Sequence, residues 1–169
     1  MPNRSDTLRL ERTTLLLADF QRALTRLADA LGQPESELIR DAAIQRFEFC
    51  FELAWKSVQS VARLEGQDCT SPRTAFSLAW GNGWVSTEAA WLDMLDDRNK
   101  TTHTYHEATS RQVFGNLPRH LPHLTELRPR THLGGISVVS QGRSAQQALE
   151  RLLVKRRRKP RWLNWSLWG

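Results

Sequence analysis

The chain has 169 residues, of which 40% are hydrophobic and 25% are charged. This length allows one domain with a substantial core and is short for two full domains, and the composition is that of a globular protein. The polar N-terminus predicts no secretory or transit peptide, and no apolar run approaches the length of a membrane span. The cysteines, Cys50 and Cys69, match no disulfide or zinc pattern, so we expect a cytoplasmic protein.

The positive charge is concentrated at the C-terminal end. The formal net charge is +6, but residues 128–169 hold ten Arg or Lys against one acid, whereas residues 1–127 hold fourteen against seventeen. The net charges of the two parts are therefore +9 and −3. This contrast divides the chain into a mildly acidic body, residues 1–127, and a strongly basic tail, residues 128–169.

The body begins with two long amphipathic segments. Apolar residues recur at steps of three and four over about residues 8–31 and again over about residues 35–65, which predicts two helices. Gly66 provides a C-terminal stop for the second helix. At 1.5 Å per residue that helix would extend for about 45 Å, long enough to be the spine of a bundle.

Two shorter helices are predicted next. Ser71 is a good N-cap residue and Pro72 suits the first helical position, so a helix opens here and ends at Gly81. A further helix begins near Ser86 or Thr87. It directs four apolar side chains towards the core: Ala90, Trp91, Met94 and Leu95.

The last predicted helix starts at Thr104, because residues 104–107 have the S/T-x-x-E form of a capping box. Pro118 and Pro122 are expected to kink or divide it before Leu127. No segment of the body alternates with a two-residue period, so strands are not required. We therefore predict an all-α protein, an up-and-down bundle of four or five helices with an irregular basic tail.

The connection before the last helix carries Arg98, His103 and Tyr105 in the pattern R-x-x-x-x-H-x-Y. An arginine can bind a phosphate through two N–H groups, a histidine exchanges protons near neutral pH, and a tyrosine hydroxyl can assist or be modified. A helix start also favours an anion through its free backbone N–H groups. Such a site could stabilise the charge that develops when an RNA 2′-hydroxyl attacks its own phosphodiester.

The same residues have plainer interpretations. Arg98 can pair with an aspartate of segment 93–97, while the other two side chains only complete a helix start; on residue types alone this is the commoner case. A metal is a third possibility, because His103, His106 and Glu107 could lie on one side of a helical turn. Their spacing is not an established zinc pattern, so we expect no metal.

Two glutamates of the second helix are also candidates. Glu48, Glu52 and Lys56 follow one another at four-residue steps and so share a helix face. The ordinary interpretation is a solvated ladder of charges, which the sequence alone favours. The functional interpretation is that one glutamate turns inward and orients Arg98 or Lys100.

These segments together resemble the HEPN superfamily, specifically the HepT-type proteins once described as substrate-binding subunits of minimal nucleotidyltransferases. The resemblance covers about residues 10–127 and rests on four blocks that occur in the same order. They are Arg46-Phe47-Glu48-Phe49 through Glu52, Trp55 and Lys56; Ser71-Pro72-Arg73 with Phe76 and Ala79; Trp91 with Met94; and Asp97-Arg98-Asn99 through His103-x-Tyr105. Four ordered blocks are more specific than the R-x-x-x-x-H-x-Y element alone, and they favour the functional interpretation.

The resemblance implies a helical homodimer that brings two copies of the motif to one cleft and needs no cofactor. In HEPN toxins the matching arginine and histidine cleave RNA without a metal, which gives the catalytic roles to Arg98 and His103. In the HepT-type branch a partner nucleotidyltransferase antitoxin attaches AMP to the tyrosine that matches Tyr105, and the toxin is silenced. Asn99 lies in the same block and is expected to supply a second polar contact.

Two other functions remain open. The chain could be a non-catalytic subunit that presents a nucleotide or other phosphorylated substrate to a nucleotidyltransferase, or an RNA-binding protein that relies on its tail. HepT-type proteins usually end near residues 121–127, whereas this chain continues with one possible short helix near residues 145–155 and three tryptophans, Trp162, Trp165 and Trp168. The tail suits RNA or an anionic membrane, but disorder is the favoured interpretation.

Overall fold

The computed structural model describes residues 4–127, which form five α-helices and one 3-10 helix without any strand in that range. The elements are α1 (Arg4–Leu31), α2 (Glu37–Leu64), α3 (Pro72–Gly81), α4 (Glu88–Lys100), a 3-10 helix (Thr101–His103) and α5 (Glu107–Glu126). The prediction of an all-α bundle is confirmed for these residues. None of their helices is long and apolar enough to cross a membrane. The tail, including the possible helix near residues 145–155, lies outside the described residues.

The central helix is α2, which packs against all four of the other α-helices. The hydroxyl of Ser36 accepts a hydrogen bond from the backbone N–H of Ile39 at 3.1 Å and so caps its start. At its end Gly66 has a φ of +72°, and the N–H of Gln67 donates to the carbonyl of Ala62 at 2.9 Å. This left-handed glycine closure is the one expected from the sequence. The bounds of α2 thus agree with the predicted range to within two residues.

The core lies between α2 and the other helices. α1 starts four residues earlier than predicted and makes the most extensive helix pair with α2. Aromatic rings fill the centre of the core: Phe76 lies 4.4 Å from Trp91 and 5.4 Å from Phe51, measured between ring centroids. The fully buried large side chains include Phe20, Leu24, Leu27, Phe47, Phe51, Phe76, Trp91, Met94, Leu117 and Leu124. Because α2 contacts every other helix, its polar side chains are positioned against the ends of its neighbours.

The last helix differs from its prediction in two ways. α5 begins at Glu107 rather than at Thr104, and it continues as one helix through Pro118 and Pro122. Each proline removes one helical hydrogen bond, but the buried apolar face of α5 packs on α1, α2 and α4, which stabilises the helix across both positions. Of the two expected effects of the prolines, division of the helix is therefore wrong, and a kink stays a prediction.

Candidate functional site

A short hydrogen-bonded connection joins α4 to α5. α4 continues directly into the 3-10 helix Thr101–His103, so its last turn and this turn form one continuous unit. The N–H of Thr104 then donates to Thr101 O at 3.4 Å, and the N–H of His106 donates to His103 O at 3.1 Å. His103 is therefore held in an ordered turn that follows Arg98 closely.

The capping box predicted for residues 104–107 is wrong. The hydroxyl of Thr104 donates to the carbonyl of Thr101 at 3.0 Å, and the residue that caps α5 is His106, whose side chain makes no capping bond. Glu107 instead forms an ion pair with Arg111, with a closest distance of 2.6 Å. As a result Tyr105 lies between the 3-10 helix and α5, not in the first turn of α5.

Arg98 is fixed by a glutamate of α2. Its Nη2 lies 3.1 Å from Glu52 Oε1, and the other carboxylate oxygen of Glu52 accepts a hydrogen bond from Trp55 Nε1 at 2.8 Å. The side chains of Arg98 and Glu52 are 31% and 33% exposed. Because Trp55 holds Glu52 in place, the charge-assisted hydrogen bond from Arg98 to Glu52 restricts the positions that the guanidinium can adopt. Arg98 thus faces the solvent in part: Glu52 orients its Nη2, its Nε is buried and makes no hydrogen bond within the described residues, and the exposed part of the guanidinium is available for an anion.

Glu48 holds the next turn of the same segment. The Thr101 hydroxyl lies 2.5 Å from Glu48 Oε1 and 2.6 Å from the carbonyl of Arg98. Glu48 and Glu52 therefore connect α2 to the end of α4 at two successive points. The solvated ladder favoured by the sequence is wrong for these two residues, whereas the inward orientation of Arg98 by a glutamate agrees with the structure. The pairing of Arg98 with an aspartate of segment 93–97 does not occur.

His103 and Tyr105 lie side by side on the surface. The Tyr105 hydroxyl is 3.4 Å from His103 Nδ1, and the two rings meet edge to face at 73°. Tyr105 also packs against His106, at 4.2 Å between ring centroids, and is 75% exposed. A 3.4 Å contact is a weak hydrogen bond, so the phenol and the imidazole both remain accessible to other polar groups.

The site residues thus form two adjoining groups. Arg98, Glu52 and Glu48 meet where α2 contacts the end of α4, and His103 and Tyr105 follow on the exposed turn. Asn99 is exposed, and its carbonyl accepts a hydrogen bond from the Thr102 hydroxyl at 2.9 Å. The 3-10 helix links the two groups, because Thr101, at its start, contacts Glu48.

An open groove of about 590 Å³ lies beside Tyr105. It runs along the N-terminal half of α2 and is lined by Glu48, Thr104 and Tyr105 together with Leu38 and Gln45. Leu38 is 77% exposed, so the groove offers apolar surface as well as polar groups. Its volume falls in the range of small-ligand sites.

A buried polar network lies behind Arg98 and was not predicted from the sequence. Asp97 accepts hydrogen bonds from Lys100 at 2.9 Å, from Asn116 at 2.9 Å and from His120 at 2.7 Å. The side chains of Asp97 and His120 are 3% and 1% exposed, and the His120 ring stacks on Phe47 at 5.6 Å between centroids. This network connects the end of α4 to α5 in the same way that the glutamates connect it to α2. The sequence did contain a signal for the burial of Asp97, because this residue follows the buried apolar residues of α4 at the same three-residue spacing and so lies on the same helix face.

The pKa directions define the charges of this network. Burial raises the pKa of Asp97, but the hydrogen bonds from His120, Lys100 and Asn116 outweigh it and hold the pKa below the ordinary value. Burial lowers the pKa of His120 and prevails over the opposing influence of Asp97. At neutral pH a neutral His120 therefore donates its Nε2–H to an ionised Asp97.

Groups of potential metal ligands and the two cysteines are the other chemically relevant features of the described residues. Residues 4–127 contain no cluster of three or more His, Cys, Asp or Glu side chains arranged to bind a metal ion. Cys50 and Cys69 are both buried and unpaired. Burial raises the pKa of Cys50 to about 12, so this thiol is not a nucleophile at neutral pH.

Comparison with known proteins agrees with this architecture. A protein of Thermus thermophilus, known from its crystal structure, is 36% identical in sequence; the match covers 64% of this chain and 94% of that one, with a TM-score of 0.60. No curated protein matches the sequence. Residues 15–132, well over half of the chain, match the family described as nucleotidyltransferase substrate binding protein like. The chain therefore belongs to the nucleotidyltransferase substrate-binding-protein-like family, a HEPN-like family of helical proteins.

Proposed function

We propose that this chain is a HepT-type toxin, a dimeric ribonuclease that cleaves RNA without a metal and is silenced by AMP attached to Tyr105. The observation that carries the proposal is the placement of Arg98. Glu52 holds its guanidinium at 3.1 Å where α4 ends, and the exposed His103 follows on the next turn. A partly exposed, oriented cation followed closely by an exposed imidazole suits a reaction at a phosphodiester.

The proposed chemistry is a transfer within the RNA strand. The 2′-oxygen forms a bond to phosphorus while the bond from phosphorus to the 5′-oxygen breaks. His103 accepts the proton of the 2′-hydroxyl or donates a proton to the departing 5′-oxygen, and in a dimer the second copy can supply the complementary group. Arg98 stabilises the additional negative charge on the phosphate oxygens. The products are a 2′,3′-cyclic phosphate and a 5′-hydroxyl.

The exposure of Tyr105 supports its proposed role in control. In the modification the phenol oxygen bonds to the α-phosphorus of ATP, pyrophosphate leaves, and the phenol proton is lost. The 75% exposure of Tyr105 leaves this oxygen open to a partner enzyme, and the groove of about 590 Å³ beside it has room for a nucleotide. The adduct would add negative charge and bulk beside His103, which opposes the entry of an RNA phosphate. The family relationship supports a nucleotidyltransferase as the partner.

Expression in a bacterial host tests the toxin assignment. Wild-type protein produced without a partner should slow growth and degrade RNA, and the His103→Ala variant should do neither. The assignment fails if the wild type has no effect, or if the variant acts equally well.

The family description favours a second candidate function, a non-catalytic subunit that binds the substrate of a nucleotidyltransferase. The groove beside Tyr105 would then hold a nucleotide or another phosphorylated ligand. Co-expression with a nucleotidyltransferase encoded beside this chain, followed by mass spectrometry, separates the two functions. AMP on Tyr105 supports the toxin, whereas a stable unmodified complex without ribonuclease activity supports the subunit.

A further inference from the structure

A second groove lies between α1 and α2, away from Tyr105. It has a volume of about 280 Å³. Three arginines line it, Arg22 and Arg26 from α1 and Arg46 from α2, together with Phe49. We refer to these four residues as the arginine groove. Its remaining apolar surface comes from Ala23 and Leu53.

Phe49 is the unusual member of this groove. The neighbouring phenylalanines of α2, Phe47 and Phe51, are fully buried, whereas Phe49 is 56% exposed. It precedes Glu52 by three residues, and residues at that spacing are neighbours on a helix surface. Since Glu52 holds Arg98, the exposed ring lies one helical turn from the partner of the proposed catalytic arginine.

The charge of the groove opposes that of the body around it. Three arginines against Asp19 give the groove a formal charge of +2, while residues 1–127 carry −3. Arg22 pairs with Asp19, but Arg26 and Arg46 form no ion pair within residues 4–127. Arg46 Nη1 donates to the carbonyl of Arg26 at 3.2 Å, which holds its guanidinium against α1. Two neighbouring cations without a carboxylate partner favour an anionic ligand.

We infer that the arginine groove binds the single-stranded RNA that flanks the scissile phosphate. A base stacks on Phe49, and Arg26 and Arg46 contact neighbouring phosphates. Single strands are commonly bound in this way, by an aromatic face beside cationic side chains. The inference rests on the proposed function, because it takes the strand to continue from Arg98 across Phe49. A second copy of this chain is the competing occupant, and the oligomeric state of the variants separates it from RNA.

Binding of a short RNA that cannot be cleaved tests the inference without requiring activity. The full chain is titrated into a fluorescent 2′-O-methyl oligonucleotide, and the dissociation constant is measured by anisotropy at several salt concentrations. Phe49→Ala should weaken binding about 5- to 150-fold, the usual range for the loss of one base stack. Arg46→Gln should reduce the slope of log affinity against log salt by about 0.7. The matched controls are Trp80→Ala, an aromatic residue 53% exposed on α3, and Arg73→Gln, an exposed arginine of the same helix; both should bind like the wild type.

A photocross-link provides the local measurement. The same oligonucleotide with 5-iodouridine should cross-link to the α2 peptide that contains Phe49. The inference is overturned if Phe49→Ala binds as tightly as wild type, if the cross-link maps only elsewhere, or if the substitution disrupts self-association and leaves RNA affinity unchanged. In those cases RNA cleavage by the wild type would leave the proposed function standing. If the wild type neither binds nor cleaves RNA, the proposed function fails as well.

Discussion

Asp97→Asn removes the charge at the centre of the buried network while keeping the shape of the side chain. The carboxylate of Asp97 is 3% exposed and accepts three hydrogen bonds, at 2.7 Å from His120 and at 2.9 Å from Asn116 and from Lys100. An amide offers one oxygen to these donors and directs an NH₂ group at the others. Removing one partner from a buried ion-paired cluster typically costs about 3–5 kcal/mol.

For a domain of this size each kcal/mol shifts the melting temperature by about 4 °C, so the variant should melt on the order of 10–20 °C below the wild type. Thermal unfolding followed by circular dichroism at 222 nm measures this shift. Asp96→Asn is the matched control, because Asp96 is the exposed neighbour on the same helix and its substitution should change stability by less than about 0.5 kcal/mol. A melting temperature for Asp97→Asn close to that of the control would refute the structural role of the network.

The free energy of unfolding should decrease as the pH falls below 6.5, the ordinary pKa of histidine, because His120 takes up a proton readily in the unfolded chain but not in its buried position. It should decrease further in acid, where Asp97, whose pKa is lowered in the fold, becomes protonated. Urea unfolding between about pH 2 and 8 measures both steps, and a flat profile would contradict them. Gly66→Ala should destabilise the fold by about 1 kcal/mol, because the φ of +72° at this position is strained for any side chain; an unchanged urea midpoint would argue against it. Glu52→Gln should reduce RNA cleavage while leaving the melting temperature within a few degrees of wild type, because it loosens Arg98 at a partly exposed site; full activity in this variant would show that the pair is not needed.

The sequence predicts a helix boundary well where the signal is local. Gly66 marks the end of α2 through its own conformation, and the predicted end agrees with the structure to within two residues. The signal at Thr104 is equally local, but it is compatible with two hydrogen-bonding arrangements of the hydroxyl. The S/T-x-x-E pattern fits a capping box, yet the hydroxyl bonds to Thr101 O in a turn that is held from outside by Glu48, 53 residues before Thr101. The tertiary contact from Glu48, which residue spacing does not reveal, selects the second arrangement.

In the candidate site, too, the local features could be predicted from the sequence and the long-range contacts could not. Arg98, His103 and Tyr105 stand out from their types and spacing, but the partner of Arg98 comes from a glutamate 46 residues away. The four-residue spacing of charged residues on α2 favours an ion pair within that helix for Glu52, so spacing alone predicted the wrong partner for this residue. Segment 93–97 contains two exposed aspartates besides Asp97, and residue type does not distinguish them from it. Asp97 is buried because α4 packs on α5.

We propose that Arg98 and His103 form a ribonuclease site. Its most direct test is the analysis of RNA ends after incubation with purified protein in EDTA. The wild type should produce 2′,3′-cyclic phosphate and 5′-hydroxyl ends, and Arg98→Gln and His103→Ala should produce neither while melting like the wild type. Intact RNA with the wild type, or the same ends from the His103→Ala variant, would contradict the proposal.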